Sequence, residues 1–189
     1  MTVLIAGVDV ETTGLLAAEH RIIEAHVSLW TPAGVKLKER TWRIHPRRSI
    51  AIEAQRVHGI SIADLEHAPD WEVVAPEIHK WLSIANLIVG HNGKEFDLPF
   101  LNMEFERVGM ERILTPVCDT MLQGRWSTPT GAVPNLGALC FACGVDYDPA
   151  KAHAASYDVD VMMDCFFKAV RWGWIKHEVL DEASKAVAA

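Results

Sequence analysis

Residues 3–15, Val-Leu-Ile-Ala-Gly-Val-Asp-Val-Glu-Thr-Thr-Gly-Leu, form an apolar run that ends in two acids. The run over 3–8 predicts a central strand that is buried on both faces. Asp9 and Glu11 follow at its end, and the Thr-Thr-Gly turn of 12–14 breaks the strand. Residues two apart on a strand project from the same face. Two adjacent carboxylates are costly to ionise together unless a cation lies between them, so the pair indicates either a cation site or a solvated strand end.

The size and composition of the chain are those of one globular domain. It has 189 residues, of which 50% are hydrophobic and 23% charged. About 70% of the surface of such a chain can be buried on folding, and wholesale disorder is excluded. We expect a domain over residues 1–175 and a helical tail over 176–189.

The sequence also indicates the cellular compartment in which the protein is expected. The longest uncharged stretch, 126–145, holds two prolines and predicts no membrane span. The N-terminus shows no signal-peptide pattern, and four cysteines are too few for a disulfide scaffold at this length. The expectation is a soluble cytoplasmic protein.

Alternating segments after the first strand predict an antiparallel meander. Residues 23–29 alternate, which predicts a half-buried strand with Glu24, His26 and Ser28 on its solvent face. Residues 35–44 predict a third strand, and its basic side chains suit a sheet edge.

The rest of the chain alternates between helices and strands. Helices are predicted after Asp70 as N-cap, after Gly90, over 135–143 and over 156–172, with a helical pattern continuing to the C-terminus; short strands are predicted over 87–90 and 116–119. This order predicts an α/β fold with a mixed central sheet of about five strands flanked by helices.

Three further residues complete a candidate catalytic set with Asp9 and Glu11. Asp97 lies in the first turn of a helix, Asp158 lies early in the last helix, and His153 precedes that helix in a loop. Singly, each has an ordinary structural explanation, such as an acid at a helix N-terminus. Together, the four carboxylates are the ligands that Mg²⁺ or Mn²⁺ prefers. Two such ions stabilise the attacking and leaving oxygens of phosphoryl transfer, and an imidazole can accept a proton from the attacking water.

Four segments resemble motifs of one known family, the DnaQ-like 3′→5′ exonucleases of the DEDD superfamily. Residues 8–15 resemble the first motif and Val-His-Gly-Ile at 57–60 resembles the V-H-G-I element. Residues 91–97, His-Asn-Gly-Lys-Glu-Phe-Asp, resemble the second motif, usually H-N-x-x-F-D. Residues 153–158, His-Ala-Ala-Ser-Tyr-Asp, resemble the third, H-x-A-x-x-D. The third motif is of the histidine type, because position 161 is a valine and the tyrosine version needs an aspartate there.

The resemblance implies a ribonuclease H-like fold and a role for each motif residue. Asp9, Glu11 and Asp158 would bind two Mg²⁺ or Mn²⁺ ions, with Asp9 bridging both. Asp97 would hold the second ion through water, and His153 would deprotonate the nucleophilic water. The implied substrate-binding residues are Thr12, Thr13, Gly14, Leu15, His58 and Asn92, with Leu15 as a wedge between the last two bases and His58 as a contact to the terminal nucleotide.

The net charge of −7 argues against a protein that grips a long stretch of nucleic acid by its phosphates. Two bound divalent ions would cancel the charge of the four site acids locally.

Trp126 is a candidate for stacking on a base. Cys140 and Cys143 form a C-x-x-C pair without a second pair at zinc spacing, so buried thiols are the preferred interpretation. Phosphate contacts and ordinary solvated charge are both open for a set of basic residues: Lys36, Lys38, Arg40, Arg47 and Arg48.

The predicted function is a metal-dependent 3′→5′ exonuclease that releases nucleoside 5′-monophosphates from single-stranded or frayed DNA 3′ ends. An RNA-trimming exonuclease or oligoribonuclease is the alternative in the same class. A polymerase-associated interaction subunit with secondary nuclease activity, and an inactive nucleic-acid-binding module, are alternatives from other classes. A polymerase partner is compatible with the sequence, but the segment after the last helix is too short to predict a dedicated binding domain.

Overall fold

The computed structural model describes residues 3–180, in which five strands form one mixed sheet. The strands are β1 (Ile5–Thr12), β2 (Ile22–Trp30), β3 (Lys36–Arg43), β4 (Leu87–Gly90) and β5 (Val117–Asp119), in the spatial order β3-β2-β1-β4-β5. β1 pairs antiparallel with β2, and β2 with β3, whereas β4 runs parallel to β1 and β5 parallel to β4. The predicted mixed α/β sheet, with β3 at an edge, is confirmed.

Helices cover both faces of this sheet. They are α1 (Ile52–His58), α2 (Trp71–Ile84), α3 (Asp97–Arg107), α4 (Thr120–Gln123), α5 (Leu136–Cys143) and α6 (Ala155–Arg171), with short 3₁₀ turns at Ala63–Leu65 and Gly124–Ser127. The sequence analysis did not predict α1. None of the residues of α1 is buried, so it carries no apolar stripe that a sequence pattern would reveal.

The prediction that β2 is half-buried is wrong. All nine of its residues are buried, including Glu24, His26 and Ser28. The face of β2 that carries Ala25, Val27 and Leu29 packs against α2 and α3. Helix α6 covers the opposite face, which carries the polar side chains. The polar side chains under α6 find local partners, since Glu24 forms an ion pair with Arg43 and Ser28 accepts a hydrogen bond from Trp30.

A close approach between β1 and α6 positions the start of α6. A Cβ atom at Gly7 would lie 2.9 Å from side-chain atoms of Met163 and Val159. Only glycine permits this separation. As a result, the first turn of α6, which contains Asp158, lies against the end of β1.

The structure differs from the prediction at the ends of two helices. Asp70 precedes α2 but makes no capping hydrogen bond, because its carboxylate accepts two hydrogen bonds of 2.7 Å from Arg47. The helical pattern predicted beyond residue 171 is wrong over 172–177, since α6 ends at Arg171 and Gly173 turns the chain with a φ of 74°. Of the predicted tail over 176–189, residues 181–189 lie outside the described part of the chain.

Between residues 3 and 180, no helix has the length and apolar character needed to cross a bilayer.

Candidate active site

Four acids predicted from the sequence converge at one edge of the sheet. β1 continues to Thr12, so Asp9 and Glu11 lie within the strand and not after it as predicted. Asp97 begins α3, shortly after the parallel strand β4, and Asp158 lies in the first turn of α6. The carboxyl ends of neighbouring parallel strands form the edge at which α/β sheets place their sites. The fold therefore brings the four carboxylates together.

Mutual repulsion and burial dominate the electrostatics of this cluster. Burial, and then the charges of Asp97, Glu11 and Asp158, raise the pKa of Asp9 well above its usual value. Burial and the neighbouring Glu24 raise the pKa of Glu11 to about 8, and burial raises that of Asp97 to about 7. A cluster that resists full ionisation in this way favours a bound cation.

Asp158 and His153 form a second part of the site. The Asp158 Oδ2 atom accepts a hydrogen bond of 2.8 Å from the backbone N–H of His153, while its buried Oδ1 atom has no hydrogen-bond partner. His153 is exposed and has a φ of 64°, a conformation that is uncommon outside glycine and clusters at functional sites. Both side chains line a cavity of about 430 Å³ together with Asp9.

The donor set fits divalent metal ions. It consists of carboxylate oxygens, the ligands that Mg²⁺ and Mn²⁺ prefer, and it includes the unpartnered Oδ1 atom of Asp158. Among residues 3–180 no group of three or more histidine, cysteine or acidic side chains is arranged to hold a metal ion. Asp97 Oδ1 accepts a hydrogen bond from the backbone of Val10 at 2.9 Å, so ion binding would require some carboxylates to reorient.

An apolar groove of about 680 Å³ opens beside Glu11. Four of the predicted substrate-binding residues line it: Thr12, Gly14, Leu15 and His58. Leu15 is 80% exposed, as a wedge between bases requires. The His58 ring is held by a hydrogen bond of 3.0 Å from the Ile60 N–H to its Nδ1 atom, and its buried Nε2 atom is without a partner.

Thr13 and Asn92 are placed differently from these four. Thr13 is fully buried, and its backbone N–H donates to the carbonyl of Arg21, so this group is occupied within the protein. Asn92 lines neither cavity. The second motif has three residues between Asn92 and Phe96, one more than the family pattern, and the N–H groups of Glu95 and Phe96 both donate to the Asn92 carbonyl in this turn.

Asp119 is a site-supporting residue that the sequence analysis missed. It is buried at the end of β5, and its carboxylate accepts hydrogen bonds from four backbone N–H groups, those of Asn92, Lys94, Met121 and Leu122. Its carboxylate thus joins the second motif to α4. The only sequence signal is an acid at the end of a short predicted strand.

We expect Asp119→Ala to lower the free energy of unfolding by about 2–4 kcal/mol, because it leaves buried N–H groups without an acceptor. Asp119→Asn should lose less, since an amide oxygen can still accept some of these bonds. Urea unfolding of both variants measures the effect. Asp146→Ala, an exposed acid, serves as the control, and an equal loss in that variant would contradict the assignment.

The basic residues considered for phosphate contacts mostly have partners within the protein. Lys36 pairs with Glu39 and Asp160, Arg40 with Glu77 and Arg47 with Asp70, while Lys38 lies over the Trp81 ring. Trp126, considered for base stacking, packs against Trp174 with ring centroids 4.1 Å apart.

Acids converging at the carboxyl ends of strands in a mixed sheet, with a histidine beside them, define the site of a nuclease. A family model described as an exonuclease (RNase_T) matches residues 7–166. The chain therefore belongs to this family, the DnaQ-like 3′→5′ exonucleases of the DEDD superfamily, as its motifs indicate.

Individual relatives agree with this assignment. The chain is 32% identical over 163 residues to the DNA polymerase III subunit epsilon of Rickettsia prowazekii, an alignment that covers 84% of this chain and 70% of that protein. It is 27% identical over 164 residues to the PolC-type DNA polymerase III of Mycoplasma pneumoniae, covering 84% of this chain and 11% of that protein. The chain thus spans about a tenth of the PolC-type relatives.

A solved structure supports the fold. The exonuclease I–ssDNA complex of E. coli in its zinc-bound form superposes with a TM-score of 0.80 at 16% identity, over 96% of this chain and 43% of that one. The predicted ribonuclease H-like fold is confirmed.

Proposed function

We propose that this chain is a divalent-metal-dependent 3′→5′ exonuclease that releases nucleoside 5′-monophosphates from single-stranded or frayed DNA 3′ ends. The observation that carries the proposal is the convergence of Asp9, Glu11, Asp97 and Asp158 next to His153. We assign the exonuclease domain to residues 1–175 and a tail to 176–189.

Each residue of the cluster has a distinct task in this proposal. Asp9, Glu11 and Asp158 would hold two divalent ions, and Asp97 would support one of them. When bound, such ions stabilise the attacking and leaving oxygens of the phosphodiester. His153 accepts the proton of the attacking water. The hydrogen bond from its backbone to Asp158 holds the histidine beside the carboxylates.

The groove beside Glu11 receives the last nucleotide in this proposal. Leu15 separates the last two bases, and His58 contacts the terminal nucleotide from the groove wall. A paired end must open before it enters, and unpairing costs a few kcal/mol, least at a mismatch. Single strands and mismatched ends are therefore the preferred substrates.

DNA is the proposed polymer because of the relatives. One relative is the subunit epsilon of DNA polymerase III and another is a PolC-type DNA polymerase III, and the exonuclease I structure is a complex with single-stranded DNA. A polymerase is for the same reason the proposed class of protein partner. RNA trimming is the second candidate, since the cluster acts on the phosphate and either sugar can be presented to it.

Digestion of matched 5′-labelled DNA and RNA oligonucleotides tests the proposal. We expect a ladder that shortens from the 3′ end with Mg²⁺ or Mn²⁺, complete loss of cutting in EDTA, and faster cutting of single-stranded and mismatched ends than of paired ends. Release of the labelled nucleotide first, or cutting of circular DNA, would refute a 3′ exonuclease. An RNA rate more than about tenfold above that of DNA, a barrier difference of about 1.4 kcal/mol, would overturn the DNA assignment.

A further inference from the structure

Three of the four cysteines pack together at the contact between α5 and α6. Cys140 and Cys143 lie on α5, and Cys165 lies on α6. The Cys165 thiol donates to the Cys140 sulfur over 3.6 Å, and the Cys143 thiol donates to the Cys165 carbonyl over 3.9 Å. Each is at most 2% exposed. The fourth cysteine, Cys118, lies on β5.

This cluster does not have the composition of a metal site. Cys140 and Cys143 have no second cysteine pair at zinc spacing, and Cys165 stands alone on α6. Hydrogen bonding to Cys165 lowers the pKa of the Cys143 thiol, whereas hydrogen bonding to Cys140 and Cys143, and then burial, raises the pKa of the Cys165 thiol. The remaining chemistry for adjacent thiols is oxidation.

We propose that Cys140 and Cys165 are a site of reversible oxidation, where a disulfide bond joins α5 to α6. A disulfide requires its sulfurs about 2.05 Å apart, so the two atoms need to approach by only about 1.5 Å from their separation of 3.6 Å. The C-x-x-C pair itself lies on one helix. A bond within that pair would leave α5 and α6 unconnected, so Cys165 is the residue that makes the cluster a link between helices.

The oxidant in this proposal is a hydroperoxide, for which hydrogen peroxide is the probe. One thiol loses its proton, and its thiolate attacks the O–O bond to become a sulfenic acid; the hydroxide that leaves takes up the proton to form water. The second sulfur then attacks the sulfenic sulfur and expels a second water. Two thiols and one hydrogen peroxide thus give one disulfide and two waters, and two electrons pass from sulfur to oxygen.

Local opening of α5 gives a small oxidant access to these buried thiols. α5 buries only Leu139, Cys140 and Cys143, while Phe141 on its outer face is 89% exposed. Irregular segments precede and follow this helix. Elements with few buried contacts open with a lower free energy than the core of a domain.

The proposed disulfide joins two helices that both contribute lining residues to the active-site cavity. Leu136 and Gly137, at the start of α5, line the 430 Å³ cavity opposite Asp158 and Met162 of α6. Drawing α5 towards α6 narrows this cavity, so oxidation should lower turnover until a thiol reductant restores it.

Treatment of the full chain with hydrogen peroxide, followed by alkylation under denaturing conditions and peptide mapping, tests the site. We expect the Cys140 and Cys165 peptides to be joined, with the loss of two hydrogen atoms, and to separate on reduction. Cys140→Ala and Cys165→Ala should each abolish the link, whereas Cys143→Ala and the control Cys118→Ala should retain it. Absence of a link in the wild type, or a link through Cys118 or Cys143, would overturn the proposal.

The map of the wild-type chain locates the link even if an alanine variant fails to fold. It also requires no nuclease activity, so its outcome is independent of the proposed function. A linked protein with an unchanged rate would overturn the effect on turnover, because the rate is measured on the same sample before and after reduction.

Discussion

Asp9→Asn is expected to lose about a thousandfold or more in turnover while the metal-free protein becomes no less stable. Asp9 would be a direct ligand of the divalent ions, and the loss of several kcal/mol of transition-state stabilisation corresponds to a factor of this size. The same carboxylate is disfavoured in its ionised form by burial and by four neighbouring acids. A neutral amide of similar shape removes that cost.

Asp164→Asn is the control for this substitution. Asp164 is an acid of α6 outside the four-carboxylate cluster, and we expect its variant to keep most of the wild-type rate. Steady-state rates with Mg²⁺ and urea unfolding in EDTA measure the two effects. If Asp9→Asn retains most of the wild-type turnover, the ligand assignment is wrong.

The raised pKa values also predict how stability depends on pH in the metal-free protein. Glu11 and Asp97 have pKa values of about 8 and about 7, above those of unfolded acids, so the folded state binds protons more tightly. Their stabilising protonation is complete below the unfolded pKa and is lost as the pH rises through about 7 to 8. In EDTA the urea midpoint should therefore fall from the ordinary carboxylate pKa, about 4, up to about pH 8 and then level off, and it should fall less steeply in Asp9→Asn.

His153→Ala is expected to lower turnover about 10²- to 10⁴-fold, the usual contribution of a general base. Metal affinity should change little, because the metal-binding role is assigned to the carboxylates. Steady-state rates with Mg²⁺ at one fixed pH measure the loss.

His153→Asn separates the role of the ring from that of the backbone. Asparagine tolerates a positive φ better than most residues, and His153 has a φ of 64°, so this variant keeps the loop while it removes the base. His67→Ala, a substitution of an exposed histidine outside the site, is the control. Turnover close to the wild-type rate in both His153 variants would show that the histidine is not the base.

Local sequence patterns determined much of the sheet and the chemistry of the site. A side-chain period of two on β1 places Asp9 and Glu11 on one face. The basic side chains of residues 36–40 indicate the edge strand correctly, and the motifs around Asp97 and Asp158 identify the remaining acids. These features depend on residues close together in the chain, so a sequence pattern records them directly.

Only the tertiary structure decided which polar groups are buried and what they contact. Glu24 belongs to a strand whose alternation predicts a solvent face, yet α6 covers that face from a distant part of the chain. Asp119 supports the second motif through hydrogen bonds from the N–H groups of Asn92 and Lys94, which lie more than twenty residues away in the chain, and Cys165 meets Cys140 only because α5 packs on α6. The physical reason is that periodicity records how apolar one face of an element is, whereas burial depends on the element that later packs against it.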